Sequence, residues 1–304
     1  MTLGATAGGL LLDKPLGVSS NFALQKAKKI MGARKAGHAG TLDPLASGLL
    51  VLLFGEATKL SGVLLDADKE YLATLKLGER TSTGDAEGEV VESKPFHGTE
   101  AELRQVLARF CGEIEQLPPM YSALKHGGVP LYRLARRGED VERPRRRVTI
   151  ALLELLAFRP PLAELRVRCS KGTYVRTLAE DIGRALGNCA HLAALRRTAA
   201  GAFRIEDAIG LDALQSLPPA ERSARLVPMR GLLEGFPSTA LGAEDEVRFR
   251  NGQALRREGL APGLCAVYGQ AGGVVGLGLA DGEGGLRPVR LTAAQAAEKH
   301  RETL

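Results

Sequence analysis

Six consecutive apolar residues, 49–54 (LLVLLF), stand between Gly48 and Gly55, and they constrain the fold more than any other stretch of the chain. A run this short, free of polar residues and with a glycine at each end, reads as a strand buried in a sheet. The segment before it, residues 37–48 (GHAGTLDPLASG), is glycine-rich and holds a single acidic residue, Asp43. A loop fixed at the edge of a rigid sheet is a common place for reactive groups. On the residues alone Asp43 has two readings. Asp-Pro is the pattern of a helix N-cap followed by proline, whereas a lone carboxylate in such a loop suits chemistry. Gly48 would end any such helix after about one turn, too short for a cap to matter much.

At 304 residues the chain is long enough for a sizeable core, organised as one large unit with a smaller one or as two units. A net charge of +6 and a pI near 9.2 suit an anionic partner without naming one. The four cysteines, Cys111, Cys169, Cys189 and Cys265, are scattered and form no C-x-x-C pair. Reduced thiols are therefore expected, with neither a zinc site nor a disulfide framework. The five histidines are equally dispersed, and no Walker A, G-x-G-x-x-G after a strand or H-E-x-x-H occurs. No cofactor and no metal are expected, so any chemistry falls to side chains. The N-terminus lacks the basic flank and uninterrupted apolar core of a signal peptide, and no apolar run nears the ~18 residues of a membrane span. A soluble cytoplasmic protein with no membrane contact is the expectation.

Residues 9–13 and 71–77 read as further strands, the latter placing Tyr71, Ala73, Leu75 and Leu77 on one face. Residues 22–31 and 100–110 carry helical spacing. A strand over 165–169 leads into a helix with Tyr174, Leu178, Ile182 and Leu186 in one stripe, and Arg176 falls off that stripe. A cation in a first helical turn is opposed by the helix dipole, which points to an anion nearby; a surface arginine is the alternative. Residues 118–148 break the pattern. Between residues 133 and 147 there are seven arginines against Glu139, Asp140 and Glu142, consistent with a solvated loop or with RNA contact. Its Pro, Gly and Arg content predicts a segment with little apolar anchorage that orders on its ligand. From Pro237 onward, short apolar runs at 264–268 and 274–279 between glycine-rich turns predict a small β unit.

Residues 37–50 match, position for position, the G-H-x-G-x-L-D-P-x-A-x-G-x-L motif, and the chain resembles the bacterial tRNA pseudouridine synthase B family from about residue 9 to residue 203. The resemblance implies an α+β pseudouridine synthase fold: a mixed, largely antiparallel sheet flanked by helices and loops. It implies a catalytic domain over residues 1–236 with an RNA-gripping insertion at about 118–148, and a PUA-like RNA-binding domain over 237–304. The implied activity is isomerisation of the T-loop uridine at tRNA position 55 by base flipping, with Asp43 attacking either the sugar or the base. Arg176, in residues 169–177 (CSKGTYVRT), is the implied partner that holds Asp43 ionised by depressing its pKa. Tyr71, after Lys69 and Glu70, is implied to stack on the uracil and to move a proton at C5.

The same resemblance gives His38 the task of holding the T loop open, where a side chain filling the vacated space offsets part of a flipping cost of a few kcal/mol. Leu195 packs on the base or simply in the core. Lys14 touches phosphate or supports the packing. Residues 118–125 (PPMYSALK) with the later Gly-x-x-Leu-Tyr match the insertion and give Tyr121, Lys125 and Tyr132 to RNA, together with Arg145, Arg146 and Arg147. The T arm of tRNA is the one partner implied, with no protein partner and a monomer expected. An RNA chaperone that refolds tRNA is the alternative function, and only the enzyme needs Asp43 with Arg176. A glycoside hydrolase would need a second carboxylate about 5–9 Å from Asp43, and no motif supplies one.

Overall fold

Strand Ala46–Phe54 is the spine of the structure, a computed structural model that describes residues 7–122 and 124–293. Alternate side chains leave a strand on opposite faces. Here Leu49, Val51 and Leu53 enter one apolar cluster while Leu50, Leu52 and Phe54 enter another. All six are at most 1% exposed, so the strand is apolar throughout because both its faces are buried. Residue 123 of the PPMYSALK segment and residues 294–304 of the C-terminal unit lie outside the described residues.

Strand Gly8–Lys14 pairs antiparallel with this spine on one side and Ala190–Ala200 pairs parallel on the other. The sheet continues through Lys69–Leu77, Leu162–Cys169, Arg146–Arg159 and Gly112–Gln116, all antiparallel, and Ile209–Gly210 closes the opposite edge in parallel. The result is a ten-stranded mixed, largely antiparallel sheet. Helix Ser20–Ile30 is capped by Ser19, whose Oγ accepts from the Phe22 N–H, and it buries Ala23, Leu24 and Ala27. Helix Glu100–Arg109 begins in a capping box between Thr99 and Glu102. Helix Val175–Ala185 packs Leu178, Ala179 and Ile182 into a third cluster, beneath strands Lys69–Leu77 and Leu162–Cys169.

The insertion differs from the sequence expectation. Arg146 and Arg147 are not loop residues; they open strand Arg146–Arg159 and face Gln116 and Glu115 across the ladder. The segment before them contains a short hairpin, Lys125–His126 with Val129–Pro130, and the helical turn Leu131–Ala135. Leu131 and Leu134 are buried, and Arg143 donates to the Pro118 carbonyl at 3.1 Å. Two leucines and a guanidinium tie therefore supply the anchorage that the polar composition hid.

The C-terminal unit is a five-stranded sheet ordered Ser238–Ala240, Gly263–Tyr268, Val274–Ala280, Gly285–Leu291, Leu255–Arg256. It also carries helix Ala243–Arg250, which buries only Phe249 and so left no apolar stripe in the sequence. One face of this sheet, with Leu255, Cys265, Val267 and Leu286, packs on Phe249. The other sends Ala266, Val274 and Leu277 into the cluster that holds Leu11, Leu49 and Leu232, so the two sheets share apolar packing.

Candidate active site

The loop that carries Asp43 is clamped from two sides. Ser20 Oγ donates to the Leu42 carbonyl at 2.8 Å and accepts from the Leu42 N–H at 2.7 Å, and the Gly17 N–H donates to the Pro44 carbonyl at 2.8 Å. On the other side the Arg197 guanidinium donates to the carbonyls of Gly40 and Leu49. The Ala46 N–H closes a turn onto the Asp43 carbonyl at 3.0 Å and the chain enters the spine strand at once. Asp43 therefore caps no helix. Its carboxylate opens into a cleft of about 320 Å³ that Tyr71, Tyr174, Arg176, Leu195 and Arg197 also line. A larger and more open hollow of about 520 Å³, between Phe96, Glu102 and Leu186, holds none of these groups.

Arg176 sits in the first turn of helix Val175–Ala185, 7% exposed. Its Nη2 lies 3.0 Å from Asp43 Oδ2 and 2.7 Å from the Tyr121 carbonyl. Its Nη1 lies 3.2 Å from Asp85 Oδ2 and donates to the Thr83 carbonyl at 3.2 Å. The helix dipole's opposition to this cation is thus offset by two carboxylates and two carbonyls. Asp85 is 3% exposed, and its other oxygen accepts from Thr83 Oγ1 and from the Glu87 N–H. That is a second carboxylate close to Asp43, but its oxygens are occupied as acceptors, so it serves as a brace for Arg176 and not as a free acid.

The expected depression of the Asp43 pKa is overturned. Burial raises it above the usual carboxylate range; Arg176 is the main opposing influence, Asp85 repels, and Lys14 attracts. The side chain remains 43% exposed through the cleft mouth while protein surrounds it elsewhere. Burial likewise raises the Tyr71 phenol, with Arg197 opposing. Lys14 is fully buried and its ammonium donates to the Pro15 and Val18 carbonyls at 2.9 and 2.7 Å. That geometry removes the phosphate-contact option and leaves support of the site. Burial pulls Lys14 down to about 8, and does the same to Lys69.

Leu195 packs against two core clusters and also lines the cleft. His38, on strand Ala36–His38 opposite Leu52, does not line the cleft. Among the described residues its buried Nδ1 finds no partner, and burial, with Arg197 nearby, lowers its pKa and so favours the neutral imidazole. Tyr121 reaches the site through its backbone carbonyl. Lys125, Tyr132, Arg145, Arg146 and Arg147 lie outside the cleft; Lys125 and the three arginines are exposed. Arg147 reaches Glu113 at 3.6 Å, a surface pair of little energetic weight. Sequence reasoning missed Asp85, Arg197 and Lys69. Thr83-Gly84-Asp85 has the composition of any polar turn, and Arg196-Arg197 looks like surface charge. Only Arg196 fits that description, pairing with Asp13 at 2.8 Å while 40% exposed.

Among the described residues no group of His, Cys, Asp and Glu is placed to hold a metal ion, and no helix is long and apolar enough to cross a membrane.

Family models match the chain almost end to end: TruB family pseudouridylate synthase (N terminal domain) over residues 28–175, tRNA pseudouridylate synthase B C-terminal domain over 176–233, and Pseudouridine synthase II TruB, C-terminal, over 237–292. Fold and models together define the class, that of the pseudouridylate synthases. The tRNA pseudouridine synthase B of Burkholderia mallei (strain NCTC 10247) is 53% identical over 303 residues, covering 97% of this chain and all of that protein. That of Ralstonia nicotianae is 53% identical over 293 residues, covering 93% of each. The chain belongs to the TruB family of tRNA pseudouridine synthases. Among solved structures, a chain of an H/ACA RNP bound to a substrate RNA containing 2′-deoxyuridine superposes with a TM-score of 0.73 at 26% identity, over 94% of this chain and 85% of that one. A chain of a Cbf5-Nop10-Gar1 complex gives 0.73 at 27% identity, over 95% and 84%.

Proposed function

We propose that this tRNA pseudouridine synthase isomerises the T-loop uridine at position 55, with Asp43 attacking the flipped nucleotide, Arg176 orienting Asp43, and Tyr71 moving the proton at C5. The observation that carries the reading is the Asp43–Arg176 contact of 3.0 Å at the cleft, braced from behind by Asp85. Conversion of uridine to pseudouridine breaks the N1–C1′ bond, forms C5–C1′, takes a proton from C5 and places one on N1. Nothing is oxidised or reduced, so positioned side chains suffice. A carboxylate walled by protein on all sides but the cleft mouth keeps fewer water contacts than one in free solution, and a flipped base that covered the mouth would remove more of them, which suits a nucleophile or an electrostatic group. Arg176 and Lys14 favour its charged form, and Lys69, Arg176 and Arg197 line the same cleft, where they suit any anion that develops on the base.

Lys125, Tyr132 and Arg145 to Arg147 present a basic, partly aromatic face outside the cleft that suits the phosphates of a T arm. The unit from residue 237 adds a second RNA surface in this reading, and the protein works in the cytoplasm as a monomer on tRNA. An unmodified tRNA transcript incubated with the protein and no additive, then treated with carbodiimide and copied by primer extension, is expected to show one new stop, one nucleotide 3′ of position 55. A stop elsewhere would change the assigned uridine, and no stop at all would remove the activity.

A further inference from the structure

Arg197 is a fully buried arginine, 1% exposed, that among the described residues has no carboxylate within ion-pair distance. The twenty ion pairs of the described residues include its neighbour Arg196 but not Arg197. Its guanidinium donates to the Leu49 carbonyl through Nε at 2.6 Å, and through its two terminal nitrogens to the Gly40 carbonyl at 3.2 Å and the Thr41 carbonyl at 3.5 Å. Three carbonyls satisfy three of five N–H groups. A buried cation without a counter-charge is costly, and its fixed charge stands in the wall of the reactive cleft. Directly across the antiparallel ladder from it is Tyr71, which lines the same cleft. Side chains facing each other in this way lie on one face of the sheet, with Cβ atoms about 5 Å apart.

We propose that Arg197 is a positioning residue for Tyr71, its unpaired guanidinium orienting the phenol oxygen and stabilising the phenolate through which Tyr71 accepts the C5 proton. This rests on the assignment of Tyr71 in the preceding subsection. In the step, the phenolate oxygen takes the C5 proton and the C5–H electron pair becomes the C5=C6 bond. The former N1=C6 pair moves to N1, which takes a proton from water, and the phenol returns its proton to solvent. Burial raises the Tyr71 phenol above its ordinary value, and Arg197 is the largest influence opposing that rise. The other charged or titratable groups facing the phenol are Cys169, whose thiol burial pushes up to about 11 and so keeps neutral, the Asp43 carboxylate, and Lys69 two residues earlier on the same strand. Lys69 titrates at about 8, so the test must separate a lysine limb from a tyrosine limb.

Single-turnover tritium release from C5-labelled T-arm RNA, measured from pH 6 to pH 10, makes the separation when Tyr71 is replaced by 3-fluorotyrosine, whose phenol is more acidic; the parent's tyrosine limb, raised by burial, is read as a rate still climbing at pH 10. A limb owned by Tyr71 moves to lower pH on fluorination, whereas one owned by Lys69 stays. Arg197→Gln is expected to move that limb up by about 1 to 3 pH units, which lowers the rate below the limb by about 10- to 1000-fold, with RNA affinity unchanged. Fluorotyrosine in the Arg197→Gln background is expected to recover part of the loss. Arg197→Lys, which keeps a cation but not the fork, is expected to shift the limb less, and it carries the test if Arg197→Gln does not fold. A limb that stays in place while the rate simply falls, or fluorination that moves nothing, means Arg197 only holds the 40–41 loop and overturns the proposal. Absence of tritium release by the parent protein would instead defeat the parent reading of Tyr71 and the reaction.

Discussion

Burial makes the charge on Asp43 costly. Its pKa in the folded protein is above the ordinary carboxylate value, so its contribution to stability is complete below that ordinary value and is lost as pH rises through the raised one. At pH 7 the charged form therefore works against the fold. Asp43→Asn is expected to melt no lower than the parent at pH 7.5, with the gap closing toward pH 4 in paired calorimetric scans, while turnover falls at least about a thousand-fold. Arg176 is the largest influence holding the Asp43 pKa down, so Arg176→Gln should move the acid limb of the pH–rate profile to higher pH. Arg176→Lys should restore little, since one ammonium cannot replace a fork that serves Asp43, Asp85 and two carbonyls; near-parental turnover would count against the pairing. That Asp43 and Arg176 would meet was legible because each sits in a long motif, and Tyr71, expected from the shorter Lys69-Glu70-Tyr71 segment, lines the same cleft. Asp85 and Arg197 were not legible, because what distinguishes them is burial, and a single Asp in a polar turn or the second of two adjacent arginines carries no sign of burial in the sequence.

Elements were legible where the apolar pattern was decisive. The spine strand announced itself by six apolar residues in a row, although its first three residues, Ala46, Ser47 and Gly48, looked like loop. They are strand because Gly48 lets the backbone of Arg197 approach: its φ is +99°, and a Cβ there would run into the Arg197 backbone. Gly48→Ala should cost about 2 kcal/mol or more and disturb the Asp43 loop, which denaturant unfolding and turnover would show together. In the insertion, composition misled: seven arginines outweighed Leu131 and Leu134, the two residues that bury. Replacing Arg145, Arg146 and Arg147 by Ala should leave the melting temperature near the parent's, since all three are exposed and the two ion pairs among them, Arg147 with Glu113 and with Glu115, are weak. RNA affinity should fall and its slope against log salt should flatten by about 2 to 3; an unchanged slope would take these arginines out of the interface.

The whole molecule is held together by a shared apolar cluster, in which Ala266, Val274 and Leu277 of the C-terminal sheet meet Leu11, Leu49 and Leu232 of the large one. A break in composition near Pro237 announced a second unit, but nothing in the sequence of its short strands told which face would turn toward its neighbour. The packing predicts a single calorimetric transition for the parent. Leu277→Asp, which places an unpaired charge at a site 3% exposed, should split it into two. Beneath all of this lies the claim that a carboxylate on one clamped loop performs the isomerisation, while phosphate contacts made elsewhere supply the binding. Tritium release from C5-labelled T-arm RNA by the parent and by Asp43→Asn, at concentrations where both are shown to be bound, tests it most directly. The account predicts full release by the parent and none above background by the variant, at affinities within several-fold of each other. Release by bound Asp43→Asn at a rate near the parent's would contradict it.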